Sequence, residues 1–342
     1  MLQIRNSIII FTVILSLFLL CSLTYAPTIN VPVDQLTIQS GIDMAQNGDI
    51  VLVDDGIYKG EGNVNIDFKG KRITVKSRNG AGVTIIVCEE KTGTFGFYFS
   101  NNEKGTSVLE GFTIRNGFNG MAGGIKLEYS SPTIKNCVIE GNAERTGIGI
   151  WGYNSAPIIT DCKVTQSAYG IHLWGVELEG LVKLIEEELK PIIKDCTISN
   201  NSGVGISCVE SVSVSIENCT VINNDKRGVR LTYFAGGDIT NCHITQNSGG
   251  GIECGEYARV TIKNSIIDRN TAEFGGGINS TTPAINVSHC IIANNTATSR
   301  GGISVSVKWG KILNLSIALS QETLLGSQGV GFMFTCPVQS LN

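Results

Sequence analysis

The chain has 342 residues, 42% hydrophobic and 16% charged, with 41 glycines and a formal net charge of −4. That balance describes a folded, weakly acidic protein and excludes a disordered one. No basic run is present, so nucleic acid is not an expected partner.

The first 26 residues read as an export signal. Arg5 precedes an apolar run from Ile8 to Leu20, and small and polar residues follow to Ala26. Thr24 and Ala26 offer a small-residue cleavage pattern; an uncleaved anchor is the alternative. Phe18, Leu19 and Leu20 are too bulky for a lipid-attachment site at Cys21. The expected location is secreted, periplasmic or cell-surface, with no membrane contact after cleavage.

Residues 36–60 predict a short amphipathic helix over Ile38–Ala45, a turn at Gly48 and Asp49, and a strand over Ile50–Val53. Asp55 to Tyr58 then read as Asp-Gly-x-Tyr. The Asp54-Asp55 pair in this segment is expected to serve a turn.

From Cys137 to Asn295 one phrase recurs about every 23 to 25 residues. Cys137, Cys162, Cys196, Cys219, Cys242 and Cys290 mark it, with Ser265 filling the gap. Five places on come Asn142, Ser167, Asn201, Asn224, Asn247, Asn270 and Asn295, and Gly-Ile or Gly-Val follows. A fixed period of this length marks a solenoid. Its short β-branched runs, such as Ile216–Val221, are separated by Gly, Asn, Ser and Asp, which selects strands over helices. Stacked coils would pair like strands in parallel and bury rows of Ile, Val and Cys. The Asn is expected at a tight left-handed bend, stacked as a ladder along one edge.

Eleven cysteines in an exported chain would ordinarily imply disulfides. Six occupy the same place in successive coils, so their side chains point inward side by side, a geometry that does not favour bridging. Cys208 and Cys254 lie two coils apart with Leu231 between them. A core ladder of free thiols is the expectation.

The repeat, as in IKNCVIEGNAERTGIGI (134–150), and the segment 36–60 together resemble the pectin-lyase-like superfamily, in particular secreted bacterial β-helix proteins. The resemblance covers residues 30 to 305. It implies an all-β, single-stranded right-handed parallel β-helix over 30–307, with an N-terminal helix capping the open end. One insertion breaks the rhythm: residues 176–190 have Leu181, Ile185 and Leu189 at helical spacing. Residues 308–342 lose the marks and are expected as an irregular last coil or tail.

Enzymes of the superfamily act on acidic polysaccharides in a groove on one parallel sheet, often with Ca²⁺ held by Asp or Glu. The hydrolase hallmarks Asn-Thr-Asp, Gly-His-Gly and Arg-Ile-Lys are absent from this chain. Aligning the repeats places Asp161 beside Asp195, a candidate Ca²⁺ pair or simply an exposed polar row in which Asp replaces Asn. A second, outward row runs Lys126, Trp151, His172, Ser207, Arg230, Glu253, Asn279, Ser304. Trp151, Tyr153, His172 and Trp174 are candidates for a sugar-stacking platform, with Arg230 and Tyr233 positioned to engage a glycan carboxylate. The inserted helix folding over these aromatics is the competing reading.

The expected protein is a secreted or surface-associated, monomeric β-helix that binds polysaccharide, a cell-surface glycan or another surface without catalysis. Two alternatives stand beside it: a lyase or epimerase acting on acidic glycans, and an adhesin or spacer segment. Beyond Ca²⁺ no cofactor is implied.

Overall fold

The computed structural model describes residues 26–89, 93–118, 120, 122–142, 147–176, 189–282, 284–299, 303–306, 316–319 and 333–335. The expected signal, most of the insertion 176–190 and most of the tail 308–342 lie outside them. The architecture is a right-handed parallel β-solenoid of about ten turns.

One coil shows how the phrase folds. Strand Ile192–Lys194 belongs to the first sheet, Thr197–Ser199 to the second and Ile206–Val209 to the third. Single left-handed residues make the first two corners: Asp195 at φ 53° and Asn200 at φ 55°. The next coil repeats the path in parallel register, with Ile193 opposite Ile216, Ile198 opposite Val221 and Ile206 opposite Val229. Alternation sends these six inward, where all are fully buried. Each such side chain contributes about 1.5–3 kcal/mol on burial.

The Gly before the third strand is needed for close approach between coils. A Cβ at Gly170 would lie 2.5 Å from the Gly205 carbonyl oxygen, which is backbone and cannot step aside.

The cysteine row is a core ladder, as expected. The nine cysteines among the described residues are free and buried. Thiols of the row donate to the carbonyl two residues back, as from Cys219 to Glu217 O at 3.2 Å. Burial pushes the thiols of Cys88, Cys208 and Cys254 up to about 12.

The asparagine ladder exists, but its place in the corner differs from the expectation. The left-handed residue is the one before it: Asn200, Asn223, Gln246, Arg269 and Asn294. The ladder Asn itself turns inward. Asn201 donates to Asn224 at 2.8 Å, and Asn224 to Asn247 and Asn247 to Asn270 at 2.9 Å each. The same oxygens also accept backbone N–H groups of the preceding coil, as from Asn224 N at 3.1 Å. Asn is selected here because one carboxamide both accepts and donates along the axis.

At the N-terminal end the helix Ile38–Met44 ends one residue earlier than expected. Thr37 and Ser40 form a reciprocal cap at its start. Lys71 Nζ donates to the carbonyls of Ile42, Asp43 and Ala45 at its end. A Cβ at Gly41 would lie 2.9 Å from Val51 and 3.0 Å from Val31, inside contact distance, so the glycine lets the helix sit directly on the first sheet's opening strands, Thr28–Val31 and Ile50–Val53. Asp54 and Asp55 bind Arg78 and Asn79 of the following turn, consistent with a turn role. At the other end, strands Ser316–Leu319 and Met333–Thr335 extend the first and third sheets. Among the described residues no helix is long and apolar enough to cross a membrane.

Candidate functional site

The third sheet carries the outward row in the register read from the repeats. Tyr98 pairs with Lys126, then follow Trp151, His172, Ser207, Arg230, Glu253, Asn279 and Ser304. Two places further along each strand a parallel row runs Glu128, Tyr153, Trp174, Val209, Thr232. Inward neighbours such as Ile150, Ile171 and Ile206 fix these side chains outward by strand alternation.

The aromatics pack on one another. Trp151 stacks with Tyr153 at 6.4 Å between centroids and 10° between planes. Trp174 stands edge-on to Tyr153 at 6.5 Å and to His172 at 6.5 Å. Trp151 is therefore not the exposed platform that its outward direction implied. It is 5% exposed and clusters with Ala122, Ile148, Tyr153 and Tyr169, whereas Trp174 is 39% exposed.

Polar groups on this face lack partners. Trp151 Nε1, His172 Nδ1, Ser207 Oγ and Thr232 Oγ1 are buried without a hydrogen bond among the described residues. Arg230 Nε is likewise unbonded, although it lies 3.4 Å from Glu253 Oε2 in an ion pair. A buried polar atom left unpaired costs about 1–3 kcal/mol, so a group of them on one face needs a reason.

The charges are paired within the face. Glu128 receives hydrogen bonds from Lys126 Nζ at 2.9 Å and from the Tyr98 hydroxyl. Burial pushes its carboxyl up, but those two bonds outweigh it and leave the group below its ordinary value. Lys126 Nζ also lies 4.8 Å from the Tyr98 ring centroid and 5.8 Å from that of Trp151. Glu253 takes Arg230 and, at 3.7 Å, Arg227. His172 is driven down to about 4, first by burial and then by the Arg230 charge. Its ring is neutral over the physiological range.

Tyr233 sits beyond this row at a left-handed turn, φ 55°, and is 53% exposed. Asp161 and Asp195 are vertical neighbours, because Thr160 pairs with Lys194. Both occupy the exposed left-handed corner between the first and second sheets, and Asp195 accepts a 3.0 Å bond from Asn218. No group of three or more His, Cys, Asp or Glu suited to a metal occurs among the described residues. The pair fits the corner role, since Asp tolerates that conformation as Asn does.

Sequence reasoning missed Tyr98 and the second-row Thr232. Tyr98 follows Gly96-Phe97, a variant of the Gly-Ile mark that a search for Ile or Val passes over.

Among solved structures, an alginate lyase from Paenibacillus sp. str. FPU-7 aligns with a TM-score of 0.55 at 14% identity, covering 81% of this chain and 99% of that one. Pectate lyase Pel9A aligns with a TM-score of 0.50 at 16% identity, covering 82% and 72%. At this identity the likeness is one of fold. No curated protein sequence matches the chain. The sequence matches the family described as right handed beta helix region over residues 30–177 and 184–316. The chain thus belongs to the right-handed β-helix family.

Proposed function

We propose that this is an exported glycan-binding β-helix that holds a polysaccharide along the outer face of its third sheet. The observation that carries the reading is the vertical series of buried, unpartnered polar groups at Trp151, His172 and Ser207, in successive coils beside exposed Trp174. Adjacent strands are about 4.8 Å apart, so these groups recur regularly along the axis, as the sugars of a regular polymer do, with their own polar atoms covered in the unliganded chain. Trp174 and Tyr153 supply flat apolar surface for pyranose rings.

Binding without catalysis is favoured by the state of the bases on this face. A lyase or epimerase must take a carbon-bound proton, and a base works best with a pKa near the operating pH. His172, at about 4, is a weak base, and Lys126 and Arg230 are engaged by Glu128 and Glu253.

A glycan array combined with an absorbance assay for unsaturated uronates tests this. Binding lost in Trp174→Ala, with no unsaturated product from the wild type, is expected. Unsaturated product that disappears in Arg230→Ala overturns the reading in favour of a lyase.

A further inference from the structure

Resting on that reading, we infer that the ligand of this face is a neutral glycan rather than a polyuronate. The third sheet's outer face is polar, but its charges are already matched. Lys126 is held by Glu128, and Arg227 and Arg230 share Glu253. Asp67, which pairs with Tyr98 at the N-terminal end of the same row, and Glu210, at the turn after Val209, add further negative charge. Three cations thus stand among four carboxylates.

A polyuronate brings a carboxylate with every sugar. To bind here it would have to displace Glu128 or Glu253 from its partner, or lie close to them. Either course sets a second carboxylate beside a half-buried one that has lost its cation, an unfavourable like-charge contact. Apart from Arg230 Nε, the groups on this face that lack partners are uncharged. Trp151 Nε1 is a pure donor, Ser207 and Thr232 hydroxyls donate and accept, and the neutral His172 ring offers one nitrogen at Nδ1. Sugar hydroxyls, which donate and accept without net charge, are their complement. Ser207 and Thr232 are themselves at least nine-tenths buried, as is Trp151.

The test is calorimetric titration of the full chain with cellohexaose, laminarihexaose and mannohexaose, against hexagalacturonate and hexamannuronate, at low and high salt. At least one neutral hexasaccharide should bind tenfold or more tighter than either uronate, about 1.4 kcal/mol. Its affinity should change less than about twofold with salt. A uronate that binds more tightly than every neutral sugar, and weakens as salt is added, overturns the inference while leaving glycan binding intact. Failure of all five to bind, with no hit on the array, rejects the glycan reading itself. Glu128→Gln releases Lys126 and should raise hexagalacturonate affinity about fivefold; an unchanged value counts against the charge-pairing argument.

Discussion

Asn247 Nδ2 donates to Asn270 Oδ1 at 2.9 Å, and Asn270 repeats the bond to Asn295 one coil on. Asn247 also accepts from the Asn224 backbone and carboxamide, so it links three coils at one corner. Asn247→Ala strands the Asn224 backbone N–H and leaves the Asn224 carboxamide only its 3.3 Å bond to Ile198 O. We expect a loss of about 3 kcal/mol or more, read from denaturant midpoints, with the slope of the transition unchanged.

Ser167 is where the ladder is interrupted. Its hydroxyl donates to Thr165 O, and Asn142 Nδ2 has no partner among the described residues. Ser167→Asn restores the acceptor for Asn142. The site has the same Gly neighbour that accommodates Asn201, Asn224 and Asn247 in other coils. Stability should rise by about 1 kcal/mol. A lower melting temperature would show that the corner at 166–170 cannot take the longer side chain.

The two tryptophans should separate stability from binding. Trp151→Ala removes a buried ring and should cost about 3–5 kcal/mol. Trp174→Ala trims a ring that is partly in solvent; its melting temperature should move little while glycan affinity falls at least tenfold. Equal effects of the two on melting would contradict the burial difference.

His172 makes a pH prediction whose sign follows from its depressed value. Between the unfolded value of 6.5 and about 4, the unfolded chain holds the proton and the folded chain does not. Its contribution is therefore complete above pH 6.5 and is lost as pH falls toward 4, by up to about 3 kcal/mol. Denaturation midpoints for wild type and His172→Gln should converge across that window. Parallel curves would show the ring protonated in the fold.

The ladder thiols should be silent to alkylation. Iodoacetamide on the native protein should leave Cys137, Cys196, Cys219 and Cys242 unmodified, and denaturant should make all of them reactive. Disulfide-linked peptides among them in a non-reducing digest would contradict the free-thiol core.

The fold was legible because each coil solves the same packing problem with the same residues. Cys219 and Asn224 recur at fixed offsets, so their inward direction and parallel register follow from the period alone. The outward row could be aligned for the same reason. Burial on that row was not legible. Trp151 and Trp174 both point outward by alternation, and their different burial comes from the packing of Ala122, Ile148, Tyr153 and Tyr169 around Trp151. The corner geometry misled in a similar way. Both Asn223 and Asn224 suit a left-handed bend by type, and the choice between them depends on which carboxamide can reach the next coil.

The 23-residue spacing of Asn201, Asn224, Asn247 and Asn270 gives the molecule a natural unit of length. Excising one such unit brings together inward neighbours of the same kind, Asn on Asn and aliphatic on aliphatic, so the core sees no seam. Gene-level loss or duplication of a coil would then shorten or lengthen the third sheet's outer face in whole steps, and the length of that face becomes a heritable, digital trait.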